Sequence, residues 1–195
     1  ISVIEARHKI PILNPEIVQY AGFREDIYDI DTDLLLQNFR CEALKNGAQI
    51  HIKSQVTALS YGDQRWTITT PNGVHRATIL VNAAGAWADP LAQMAGLDPL
   101  SITPYRRSMA RIPAPAGHDV NSWPFMDEVG EAWYAKPDAG QLIISPCEEH
   151  ATHPHDAWAD DMVLAEGLAR YEQMVTAPVS RMSANWAGLR SFAPD

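Results

Sequence analysis

A chain of 195 residues, 46% of them hydrophobic and 20% charged, is long enough for one substantial core or two small domains and has the make-up of an ordinary globular protein. Its net charge of −9 argues against nucleic acid or an anionic membrane surface as a partner. No apolar run reaches the roughly 18 residues of a membrane-spanning helix.

In chain order, the first clear element is DIDTDLLLQNFRCEALKNG (29–47), which reads as one helix. Asp31 suits its N-cap, Asp33 the positive helix start, and Gly47 the left-handed residue that closes it. Leu35, Leu36, Phe39 and Ala43 share one stripe at helical spacing. AQIHI (48–52), QVTAL (55–59), RWTITT (65–70) and GVHRATILV (73–81) read as strands, the last two joined by a Pro71-Asn72-Gly73 turn. The run then ends in NAAGAW, where small Ala83, Ala84 and Gly85 precede bulky Trp87. Small residues after a strand allow backbone to approach something flat, and Gly85 can adopt a positive φ. Either a tight strand-to-helix turn or a cofactor approach at the carboxyl end of a strand accounts for that composition.

Residues 88–95 read as a short helix closed by Gly96. From Pro99 the chain reads as antiparallel strands at PYRRSMARIPAPAG, SWPFMDE, AWYAKP, QLIIS and NWAGLRSF, interrupted by one helix near 160–175. A domain boundary is placed near residue 100. The fold class expected is α/β (α+β).

The last strand carries the sharpest chemical signal. Alternation puts Trp186, Gly188, Arg190 and Phe192 on one face, so a guanidinium sits on an otherwise apolar face and needs an anion. That anion is either an internal carboxylate or a substrate carboxylate held bidentately. Trp133 and Tyr134 lie on a strand before a turn, where aromatic residues ordinarily fill the core but a tyrosine hydroxyl can also donate to a carboxylate. In YRRS (105–108) the two arginines point to opposite faces. CEEHATHPHD (147–156) is rich in Glu and His, yet matches no zinc spacing, and Pro154 breaks helical presentation, so no metal site is assigned. Cys41 and Cys147 form neither a disulfide framework nor an activated pair. No phosphate-binding loop, G-x-S-x-G elbow or G-x-G-x-x-G turn occurs in the chain.

Taken in order, DIYDIDTDLLLQNF, V-T-A-L, LVNAAGAWADPLAQMAGL, PYRR, WYAKPDAGQLIISP and WAGLR resemble the D-amino-acid oxidase superfamily of FAD-dependent oxidoreductases, which includes glycine oxidase, sarcosine oxidase and D-amino-acid dehydrogenases. The resemblance spans nearly the whole chain. It implies that Ala83, Ala84, Gly85 and Trp87 pass close to FAD, and that the backbone at Val56 faces the adenine. It implies equally that Tyr134 lies on the substrate side and that Arg190 grips a substrate carboxylate. The family's N-terminal strand with its G-x-G-x-x-G turn is missing, as is its glycine-rich C-terminal segment, so the chain is expected to be the central part of a longer enzyme.

On this reading residues 1–100 are the remnant of an FAD-binding domain. Residues 101–195 form an antiparallel-sheet substrate domain with one covering helix. The activity implied is FAD-dependent oxidation of an amine or amino acid, with FAD bound weakly or not at all by the fragment, which is itself expected to be inactive. The alternative is a non-catalytic module that binds a small carboxylate or a partner without flavin. The setting expected is cytoplasmic, with no nucleic-acid partner and no membrane signal; oligomeric state is left open.

Overall fold

A computed structural model describes residues 1–194. Its first part holds helix α1 (Val3–Lys9), helix α2 (Thr32–Lys45), strands β1 (Ala58–Gly62), β2 (Arg65–Thr70) and β3 (Gly73–Ala77), a 3-10 turn (Gly85–Trp87) and helix α3 (Ala88–Met94). Strands β4 (Thr103–Pro113), β5 (Met126–Asp127), β6 (Tyr134–Asp138), β7 (Gln141–Ser145) and β8 (His150–Ala151) follow, then helix α4 (Asp161–Met174) and strand β9 (Ala184–Phe192). The fold is a mixture of α and β in which all the strand pairing is antiparallel. No helix among the described residues is long and apolar enough to cross a membrane.

Contacts divide the chain into two compact units, both discontinuous. One comprises Ile1–Gly22, Ala83–Pro90 and Pro99–Asp195; the other comprises Phe23–Asn82 and Leu91–Asp98. In the second of these, α2 starts as its sequence dictates: the Asp31 side chain accepts from the Leu34 N–H at 2.9 Å, and Gly47 closes the helix at φ +84°. None of its residues is buried; Leu35, Leu36 and Phe39 are all exposed. A three-stranded sheet orders as β1-β2-β3. At its β2–β3 turn the Asn72 N–H donates to the Thr70 hydroxyl at 3.2 Å, which itself donates to the Gly73 carbonyl at 3.0 Å.

Here the strand pattern over-reached. AQIHI forms no strand, QVTAL pairs only from Ala58 onward, and GVHRATILV stops at Ala77, leaving Ile79 and Val81 exposed. Alternating apolar residues establish a strand only where a neighbour supplies ladder hydrogen bonds, and among the described residues none does so for 48–52 or 78–81.

The larger unit is organised by β4. Pro104, Ser108, Ala110 and Ile112 are buried, while Tyr105, Arg107, Met109 and Arg111 are partly exposed between them. Its six-stranded sheet runs β5-β6-β7-β4-β8, with β9 pairing β4 along Thr103–Arg111. Ala139 (φ +47°) and Gly140 (φ +74°) form the two-residue β6–β7 turn, whose paired positive φ values suit the twist of a tight hairpin. One sheet face buries Ile112, Ala135, Leu142 and Ile144 with Trp133, Val120, Tyr171 and the N-terminal Ile10 and Ile12. The Trp133 and Tyr171 rings meet edge-on, with centroids 5.1 Å apart. Each such side chain contributes roughly 1.5–3 kcal/mol on full burial.

Helix α4 covers this face. Asp160 caps it by accepting from the Met162 and Val163 N–H groups at 3.0 and 3.2 Å. At Gly167, α4 comes so close to Pro146 that a Cβ there would overlap the proline side chain and stand 2.9 Å from its Cα. Helix α1 was not anticipated, although Ser2 and Glu5 form a complete capping box at its start. The two-residue β8 was also not anticipated.

Candidate functional site

Directly paired residues of an antiparallel ladder share a face, so the register defines what lines the side of the sheet opposite α4. Arg107 pairs with Gly188, Tyr105 with Arg190 and Met109 with Trp186. Tyr134 pairs with both Asp127 and Ser145, and Lys136 with Ile143, which is itself paired with Arg111. Arg107, Arg111, Lys136 and Arg190 therefore lie on one face together with Tyr134, Met109 and Trp186. Gly188 keeps its centre open, because nothing stands within 4 Å of where a Cβ would be.

Alternation within β9 is as its sequence predicts, but the apolar surroundings expected for Arg190 are not found. Arg190 is exposed, and Trp186 is 39% exposed. The cations that change the character of this face come from β4, which β9's own sequence cannot reveal. The Arg190 guanidinium lies 5.3 Å from the Phe192 ring centroid, and no carboxylate pairs with it among the described residues.

Tyr134 stands half-buried on this face. Its hydroxyl donates to Met109 Sδ at 3.3 Å, and its ring lies 5.4 Å from that of Phe125. Burial raises its pKa, opposed by a hydrogen bond with Ser145 and by the charges of Arg107 and Arg190, so at neutral pH it is a phenol that can donate. Those two arginines act on one hydroxyl although they come from different strands.

The YRRS arginines do face opposite ways. On the α4 side Arg106 approaches Asp160 at 3.6 Å and Glu148 at 4.0 Å, and its Nη2 lies 3.1 Å from His150 Nδ1. On the open side Arg107 donates through Nη2 to Glu149 at 3.2 Å. Arg111 donates to Asp138 at 2.5 Å and places its guanidinium 5.5 Å from the Trp186 ring centroid. Burial pushes the Cys147 thiol up, with the Arg107 charge pulling the other way.

Much of CEEHATHPHD is committed to these contacts. Glu148 accepts the Ser108 N–H at 2.6 Å, while the Ser145 hydroxyl donates to the Ser108 carbonyl at 3.0 Å. Two side chains thus serve β4 where Pro146 has no N–H to offer. His153 and His155 stack at 4.7 Å, and no group of three or more potential metal ligands assembles among the described residues.

The NAAGAW turn is shaped for close approach. Gly85 has φ +55°, Ala83 and Gly85 are exposed, and only Ser191 Oγ, at 3.9 Å, would meet a Cβ at Gly85. Ala84 accepts the Trp87 N–H at 3.0 Å, and Trp87 is 45% exposed. Such an open surface leaves room for a flat group to lie against the backbone. Val56 is half-buried just before β1, next to Thr57, whose N–H donates to the Thr69 carbonyl at 2.9 Å.

The family model for FAD-dependent oxidoreductases matches residues 2–195. The chain belongs to that family. Human mitochondrial dimethylglycine dehydrogenase is 26% identical over 156 residues, covering 78% of this chain and 18% of that protein. Among solved structures, glycine oxidase from Geobacillus kaustophilus superposes with a TM-score of 0.80 at 22% identity, covering all of this chain and 51% of the other. L-Proline dehydrogenase from P. horikoshii does so with a TM-score of 0.80 at 21% identity, again covering all of this chain and 53% of the other. The chain therefore spans about half the length of the structures it matches.

Proposed function

We propose that the chain is the central part of an FAD-dependent enzyme that oxidises an amine or amino acid. Support comes from the open sheet face, where Arg190 has no carboxylate partner among the described residues and shares that face with the donor phenol of Tyr134. Arg190 would bind the substrate carboxylate through two parallel hydrogen bonds, and Tyr134 would orient it by donating its hydroxyl. Trp186 would wall the site. FAD, when bound, supplies the acceptor for a hydride from the substrate Cα–H. Ala83, Ala84, Gly85 and Trp87 would hold it through close backbone approach, and the family resemblance adds Val56 as an adenine-facing residue. We further propose an FAD-binding part over 1–100 and a substrate part over 101–195, a functional division that does not coincide with the two compact units. Because the chain carries no G-x-G-x-x-G turn and matches half of its structural relatives, we propose that alone it holds FAD weakly and is inactive.

Arg190→Ala in the full flavin-loaded enzyme tests the assignment. An exposed arginine held in two charge-assisted bonds contributes about 1.5–3 kcal/mol, so carboxylate-substrate affinity should fall roughly 10–150-fold. Arg190→Lys should recover part of that loss. Flavin content, and the affinity for an amine analogue lacking the carboxylate, should hold. Wild-type amino-acid binding by Arg190→Ala, or loss of its flavin, would refute the role.

A further inference from the structure

Arg107 is a cation of the open face whose donors are only partly satisfied. Its side chain is only 10% exposed, and its Nε is buried without a hydrogen-bond partner. Glu149, the carboxylate paired with it among the described residues, engages Nη2 alone and is itself 51% exposed. Nε and Nη2 form the side edge of the guanidinium, whose two parallel donors match one carboxylate; Glu149 uses half of that fork. A half-exposed glutamate is readily returned to water, whereas a buried donor left unpaired is costly.

Arg107 also sits in a specific place. It is paired with Gly188, whose missing side chain leaves open space, and across that space it is diagonal to Arg190. Diagonal neighbours on a sheet stand roughly 7–8 Å apart, within reach of long side chains. Both guanidiniums lie on the sheet face that also carries Tyr134.

We propose that Arg107 receives a second anionic group, so that the substrate class is an amino or imino acid with two carboxylates, one held by Arg190 and the other by Arg107 across Gly188. The inference rests on the oxidation of an amino acid proposed above. Glu149 is a placeholder: the incoming carboxylate takes Nη2 and Nε together, and Glu149 swings into solvent. No covalent step is involved, and Arg107 determines specificity.

The test uses the flavin-loaded enzyme with iminodiacetate as the diacid and N-methylglycine as the monoacid. Binding is read from the perturbed absorbance of the bound flavin, and turnover is measured separately. The diacid should bind on the order of 10–10²-fold more tightly, the range of a charge-assisted bidentate contact. Arg107→Gln should abolish that preference, Arg107→Lys restore part of it, and Glu149→Gln strengthen it by removing the competitor. Equal affinity of the wild type for the two acids overturns the inference, whatever their turnover. A diacid preference without turnover would sink the oxidation reading and leave Arg107's role standing. Failure to bind either acid would end both. Should Arg107→Gln fail to fold, the wild-type comparison and Glu149→Gln still decide: a Glu149→Gln variant with weakened diacid preference counts against the exchange.

Discussion

Replacing Gly167 by alanine sets two effects of opposite sign against each other. In the interior of a helix, alanine is favoured over glycine by about 0.5–1 kcal/mol. At this position in α4, however, the added methyl would overlap the Pro146 side chain and come within 2.9 Å of its Cα. A pyrrolidine ring and a backbone atom at the end of β7 cannot rotate away, so α4 or the strand must shift. Overpacking of this kind costs about 1–3 kcal/mol, and the stiffness of the neighbour puts this case at the upper end. Subtracting the propensity gain leaves a net loss of about 2 kcal/mol. Equilibrium urea unfolding should show it directly. With a slope near 2 kcal/mol/M, the midpoint should fall by about 1 M at unchanged slope. A midpoint equal to or above that of wild type would show that the helix–strand contact yields freely, refuting the reasoning.

Two further outcomes are expected of the 195-residue chain. Amide exchange should be slower in RSMARI (107–112) and QLIIS (141–145), which lie in the six-stranded sheet, than in QIHIK (49–53) and ATILV (77–81), which are almost wholly outside any ladder; equal or reversed protection would contradict this. Mixed with FAD and passed through gel filtration, the chain should emerge with little flavin absorbance near 450 nm, roughly the usual flavin band, because it lacks the glycine-rich pyrophosphate turn; a stoichiometric yellow protein would refute that.

What the sequence made legible was mostly local. The α2 cap at Asp31, the left-handed Gly47, the positive φ of Gly85 and the alternation of β4 and β9 follow from nearest-neighbour chemistry and were readable. The α1 capping box at Ser2 and Glu5 is equally local. Other features depend on residues distant in sequence. The expected strand at AQIHI has the right alternation but no partner, and the apolar face expected around Arg190 became a cationic one because β4 contributes Arg107 and Arg111. Arg107 itself was visible as half of an arginine pair. Which carboxylates each arginine would meet depended on where Glu148, Glu149 and Asp160 came to rest.

The N-terminal segment has a consequence for the order of events during synthesis. Ile12 accepts from the Thr176 N–H at 2.7 Å, and Asn14 donates to the Met174 carbonyl at 2.9 Å, so the partners are some 160 residues apart in the chain. A ribosome adding roughly 5–20 residues per second makes Ile10, Ile12 and Leu13 wait about 8–30 s for Tyr171 and Val175 to appear. Throughout that interval the cluster around these three side chains lacks the part that Tyr171 and Val175 supply. These apolar residues complete their contacts only once the far end of the larger unit has been made, so the segment docks late.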